Sequence, residues 1–217
     1  MSDPGTLLQP TEDNLRLAVE ALRRGDLVVI PTDTVYGLAS RPTPDAVARL
    51  FVAKGRPEHW PIPVLLSDAE VVPRVAAEWP APAALLAAQF WPGALTIAVR
   101  ARQEIPAEIT AGTGTVGLRV PASDLARAII ARAGGWLAVT SANRSGEPPA
   151  LTAAAAVELL RGHVAYAVDG GRLAAGVPST VVSVMGEEIK AIREGVIPHD
   201  RLTEALDAHG GIYHWRD

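Results

Sequence analysis

At 217 residues and 48% hydrophobic content, the chain has ample material for one large core and is expected to be ordered over most of its length. The absence of cysteine excludes a disulfide framework, a thiolate nucleophile and a cysteine-built zinc site, and a net charge of -4 argues against nucleic-acid binding through bulk basicity. No basic leader or apolar run approaching ~20 residues is present, so a soluble, cytoplasmic protein with no membrane contact is expected.

Thr11 is placed as an N-cap, Glu12 and Asp13 favour the positive helix start, and Leu15, Ala18, Val19 and Leu22 share one face before Gly25. A strand is predicted over 27–30. It empties into Pro31-Thr32-Asp33-Thr34-Val35-Tyr36-Gly37-Leu38, where Pro31 supplies no ladder hydrogen bond and pairing should stop. Small polar side chains at the carboxyl end of a strand suit a ligand edge, and they suit equally a turn whose hydroxyls bond their own backbone.

Thr43-Pro44 opens a helix running towards Lys54, a short strand is predicted at 64–66, and 67–70 has capping-box spacing. Then come a helix over 82–90, strands over 95–100 and 115–120, a helix over 123–133 and a strand over 137–140. A helix over 152–160, strands over 165–168, 180–184 and 189–193, and a helix over 198–208 complete the pattern. Two strands joined without a helix between them predict a mixed sheet. Prolines and glycines are spread evenly and no repeat is present, so one α/β domain is expected over 1–200, with 201–217 as helix end and tail.

Gly112 to Gly117 spells G-x-G-x-x-G but precedes a strand, whereas a dinucleotide fingerprint follows one and opens a helix. No P-loop, H-E-x-x-H cluster or G-x-S-x-G elbow occurs, and no metal ligands are assigned. Lys54-Gly55-Arg56-Pro57 is a basic turn suited to phosphate. Ser141-Ala142-Asn143-Arg144-Ser145-Gly146, Pro178-Ser179-Thr180 and Arg193-Glu194-Gly195 repeat the theme of hydroxyl, amide or cation at an element end. Together they suggest a cleft for an anionic, hydrogen-bonding ligand such as a nucleotide with an amino acid.

These blocks, with 91–96 and 116–121 in the same order, make the chain resemble the single-domain threonylcarbamoyl-AMP synthases of the Sua5/YrdC/TsaC family. The resemblance implies a YrdC-like fold, a twisted, open, mixed parallel and antiparallel sheet flanked by helices. It implies a nucleotidyltransferase that joins L-threonine, bicarbonate or CO2 and ATP, with Mg2+, into threonylcarbamoyl-adenylate and pyrophosphate. That product would feed the threonylcarbamoyl modification of adenosine 37 in tRNA through a downstream transferase machinery.

By matching position, Thr32, Arg119 and Ser179 are implied to hold threonine. Lys54, Arg56, Ser141, Asn143 and Arg193 are implied to hold ATP or the adenylate, with Glu58 and Thr115 as lesser nucleotide contacts. Lys54 and Arg56 would neutralise charge as the carbamate attacks the α-phosphorus. Glu194 stands where the family often has proline. Two alternatives stay open: a non-catalytic RNA- or tRNA-binding module of the same fold, which the acidic balance disfavours, and carbamoyl-phosphate chemistry in metalloenzyme maturation.

Overall fold

A computed structural model describes residues 5–55, 60–174, 176–208 and 214–216. It begins with an edge strand that the sequence pattern does not announce, β1 (Thr6–Leu8), followed by α1 (Glu12–Arg24). Thr11 caps α1 as predicted by accepting from the Asn14 amide, and Gly25 closes it in the left-handed region at φ 91°.

Strand β2 (Val28–Ile30) ends at Pro31 as expected. The stretch through Leu38 is not all turn, however, because β3 (Gly37–Ser40) folds back antiparallel on β2. Gly-Leu-Ala-Ser carries no β-branched residue, and tertiary burial of all four positions makes it a strand. Helix α2 (Pro44–Lys54) starts with proline in its first turn, without a side-chain cap from Thr43, and β4 (Val64–Leu66) follows. The predicted capping box resolves differently. Asp68 accepts from the Glu70 amide at 2.9 Å and starts a 3-10 helix (Ala69–Arg74), while Ser67 donates to Asp68.

Next come α3 (Ala81–Phe90), β5 (Leu95–Arg100), a one-turn α4 (Ala107–Thr110), β6 (Thr115–Arg119), α5 (Asp124–Arg132) and β7 (Trp136–Ser141). The chain continues through α6 (Ala153–Leu159), β8 (Tyr166–Val168), β9 (Thr180–Met185), β10 (Glu188–Arg193) and α7 (His199–Asp207). Residues 214–216 were expected in a tail but form an edge strand, β11 (His214–Arg216), parallel to β10.

All these strands join one sheet in the order β1-β8-β2-β3-β7-β4-β6-β5-β9-β10-β11. Parallel pairs (β1 with β8, β2 with β8, β4 with β6, β5 with β9, β10 with β11) are interspersed with antiparallel ones (β2 with β3, β3 with β7, β4 with β7, β5 with β6, β9 with β10), so the sheet is mixed as expected. Between Ala191 and Arg193 the register on β9 advances by one residue while β10 advances by two, a β-bulge at Ile192.

Each sheet face has its own core. Leu50 and Phe51 of α2, Leu86 of α3 and Leu202 of α7 pack with Val64, Ile97, Leu118 and Val182 on one face. On the other, Leu15, Val19 and Leu22 of α1 and Ile129 and Ile130 of α5 pack with Val28, Ile30, Leu137 and Val139. That explains why β2 is apolar at every position, since successive side chains enter opposite cores.

Candidate active site

Helices α1 and α5 cover only part of their sheet face, and the remainder floors a cleft of about 430 Å³. Strand alternation decides what stands on that floor. Thr96 and Ala98 rise from β5, Thr115, Gly117 and Arg119 from β6, Val181 and Ser183 from β9, and Arg193 from β10. The residues between them, including Ile97, Leu118 and Val182, point into the opposite core. The floor is thus built at every second position of hydroxyls and small side chains, joined by Val181 and the two arginines. The loop before β3 contributes Thr32 and Thr34, and Pro178 and Ser179 form a rim.

Arg119 is 5% exposed and held at all three nitrogens. Its Nε donates to the Gly93 carbonyl at 2.8 Å, its Nη1 to the Thr34 hydroxyl at 3.0 Å, and its Nη2 to Asp33 Oδ1 at 2.7 Å. Burial pushes its pKa below the usual arginine value, and the charge and hydrogen bond of Asp33 oppose that shift. A guanidinium carries five N–H groups, so one on each terminal nitrogen is left for a ligand.

Arg193 donates through Nε and Nη2 to the Ser179 carbonyl, at 3.2 and 2.9 Å, and through Nη2 to its hydroxyl at 3.3 Å. Burial is the first cause of its lowered pKa and repulsion from Arg119 the second, so the two cations feel one another across the cleft.

Thr32 combines the turn expected of its loop with a place on the cleft. It lines the cleft, and its hydroxyl closes the turn by donating to the Val35 carbonyl at 2.6 Å and accepting from the Thr34 and Val35 amides. With that proton committed, the 3.1 Å contact between the two hydroxyls must run from Thr34 to Thr32. The result is a one-way chain from Arg119 through Thr34 and Thr32 to the Val35 carbonyl. Ser179 and Thr96, both on the cleft, pair at 2.9 Å, and since either can donate, that bond uses one of their two hydroxyl protons.

Ser141 and Thr115 line the cleft, whereas Lys54 and Asn143 lie behind its wall. The Lys54 ammonium, 3% exposed, donates to the Ser141 carbonyl at 2.6 Å and to the carbonyl and side-chain oxygens of Asn143 at 2.7 and 3.0 Å. Asn143 turns its own amide onto the carbonyls of Arg144 and Glu147. Arg56 and Glu58 lie outside the described residues.

Sequence reasoning gave Asp33 and Thr34 only the shaping of the turn and assigned Thr96 no role of its own. The alternation of small or hydroxyl residues with branched apolar ones at 96–98 and 115–118 was the available signal.

The family model described as "Sua5_yciO_yrdC: Telomere recombination" matches residues 20–195. A threonylcarbamoyl-AMP synthase of Pyrococcus abyssi is 35% identical over 206 residues, covering 93% of this chain and 61% of its own length. The chain therefore spans about three fifths of that relative. A putative threonylcarbamoyl-AMP synthase of Mycobacterium tuberculosis is 37% identical over 190 residues, 87% of each chain. The crystal structure of Pyrococcus abyssi Sua5 complexed with L-threonine superposes with a TM-score of 0.89 at 33% identity, over 97% of this chain and 62% of the other. On these matches, and with the mixed sheet and the cleft they accompany, the chain belongs to the Sua5/YciO/YrdC family.

Proposed function

We propose that this chain is an L-threonylcarbamoyladenylate synthase, forming threonylcarbamoyl-AMP and pyrophosphate from L-threonine, bicarbonate or CO2 and MgATP. The observation that carries it is the convergence of Arg119 and Arg193 on one hydroxyl-lined floor, each with N–H groups left for an anion. The names of the relatives and the threonine bound to the Pyrococcus protein support the choice of substrates.

In this reading Arg119 takes the carboxylate of threonine, with the Ser179 and Thr96 pair offering a proton to it or to the substrate hydroxyl. Arg193 and the Ser141 rim face the nucleotide. Lys54 acts from behind that rim, holding Ser141 and Asn143 in place and adding positive charge beneath the phosphates. Among the described residues no three His, Asp or Glu side chains gather to hold a resident metal, and Asp33 is engaged by Arg119. Mg2+ accordingly enters as the counter-ion of ATP.

Once threonine is carboxylated, its carbamate oxygen attacks the α-phosphorus and the pyrophosphate oxygen leaves. The protein's part is to position two anions that repel one another and to keep water from the labile carbamate. The product would pass to a tRNA-modifying transferase.

The test mixes the chain with MgATP, bicarbonate and single amino acids, following pyrophosphate and adenylate by mass spectrometry. Threonine-dependent release of both is expected. ATP turnover indifferent to threonine, or steeply salt-dependent tRNA binding without turnover, would overturn the proposal in favour of carbamoyl or RNA-binding alternatives.

A further inference from the structure

Asp33 presents a second feature of the Arg119 environment. It is not a wall of the cleft: Thr32, Thr34 and Val35 line it, while Asp33 grips the guanidinium from outside. Its side chain is 17% exposed, and only Oδ1 is engaged among the described residues. Three rigid acceptors, the Gly93 carbonyl, the Thr34 hydroxyl and the Asp33 carboxylate, therefore fix the plane of Arg119 before any ligand arrives. Among the described residues Arg193 has no such carboxylate; its partners are the neutral carbonyl and hydroxyl of Ser179. Two arginines on one floor thus differ in net charge, one neutralised and one not.

We propose that Asp33 is a positioning residue that sorts the two anions, tuning Arg119 for a singly charged carboxylate and leaving the polyanionic phosphates to Arg193. This rests on the synthase reading above. A neutralised guanidinium still offers two directional N–H groups, which suit a carboxylate docked in fixed geometry. It offers little long-range attraction to a multiply charged phosphate, which prefers the uncompensated cation. Without Asp33 the two arginines would compete for the same phosphates, and threonine would lose its seat.

The experiment titrates the wild-type chain and Asp33→Asn calorimetrically with L-threonine and, separately, with inorganic pyrophosphate. Asparagine keeps the oxygen and removes the charge. Threonine affinity is expected to fall about tenfold, the worth of a charged hydrogen bond, while pyrophosphate affinity rises by about threefold or more. Opposite movements are the signature, because simple loss of structure would weaken both.

Weakening of both ligands, or unchanged threonine binding, overturns the proposal. Asp33→Glu, read even if the asparagine variant fails to fold, keeps the charge but moves it. It should weaken threonine while leaving pyrophosphate within about twofold, and tighter pyrophosphate binding there would also overturn the sorting role. A wild-type chain that binds no threonine would defeat the synthase reading instead, and the pyrophosphate titrations would still decide whether Asp33 screens Arg119.

Discussion

The ammonium of Lys54 stands 2.7 Å from the main-chain oxygen of Asn143 and 3.0 Å from its side-chain oxygen, tying the end of α2 to the loop after β7. The Ser145 amide returns the contact by donating to the Lys54 carbonyl at 2.9 Å. Lys54→Met keeps the length of the stem and removes the charge, stranding three strongly bonded oxygens. A loss of about 3 kcal/mol is expected in urea unfolding, with weaker ATP binding as the Ser141 loop loosens. A variant of unaltered stability would show that the loop holds itself.

Gly37 stands against Val139 across the β3–β7 pair, and a Cβ built there would meet Val139 Cγ1 at 2.6 Å. Gly37→Ala should cost about 1–3 kcal/mol through overpacking. Because the offending atom belongs to a side chain, adding Val139→Ala should recover part of the loss, with a coupling energy above about 0.5 kcal/mol in a double-mutant cycle. Strict additivity would place the strain elsewhere.

At Gly195 the obstacle is backbone. A Cβ would fall 2.3 Å from the Pro178 carbonyl oxygen and 2.6 Å from the Thr180 amide nitrogen, so no side-chain movement relieves it. Gly195→Ala should shift Ser179 and Arg193 together, lowering threonine-dependent pyrophosphate release by up to ~10²-fold with a smaller loss of stability. Kinetics within about twofold of wild type would contradict this coupling.

Tyr36 is fully buried, donates to the Gly171 carbonyl at 2.6 Å and accepts from the Gly170 amide at 3.1 Å. Burial and then the neighbouring Asp169 raise its pKa, while the Gly170 amide opposes the rise. A folded-state pKa above the unfolded value of about 10 means stability fully present below that pH and lost as pH climbs through the higher folded value. Unfolding free energy should therefore decline on the alkaline side of about pH 10, and Tyr36→Phe should flatten that decline while costing about 1 kcal/mol at neutral pH. An unchanged alkaline slope would assign the titration to other groups.

Arg56, two residues after Lys54 in sequence, is a cation that the family resemblance implies for ATP or the adenylate. Arg56→Ala is expected to reduce threonine-dependent pyrophosphate release on the order of 10²-fold. Activity within about twofold of wild type would remove it from the mechanism.

What the sequence disclosed was what short-range physics controls. Thr11 caps its helix as expected, and Ser123 and Thr152, where two further helices were expected to begin, cap theirs, because a cap needs only a neighbouring amide. Strands β1, β3 and β11 were hidden, each being short and stabilised by partners remote in sequence. The same division runs through the cleft. The family resemblance singled out Arg119 as a site residue, but its bond to Asp33 spans 86 positions and depends on where β6 lies relative to the loop after β2. Lys54 was legible as a cation, whereas its inward aim is a matter of packing.

The bulge at Ile192 sets the sidedness of a charge. Ala191 opposes Val182 and Arg193 opposes Val181, whose side chain faces the cleft. In an uninterrupted ladder Arg193 would stand opposite Thr180, on the face that the sheet buries. Left unpaired in the bulge, Ile192 acts as a phase shifter that keeps a guanidinium off the hydrocarbon side of the sheet and on its cleft side. The electrostatic polarity of the cleft is thus written in the register of β10 as much as in its residue types, and a ladder in which Ile192 paired with Val181 would invert it without altering any charged side chain.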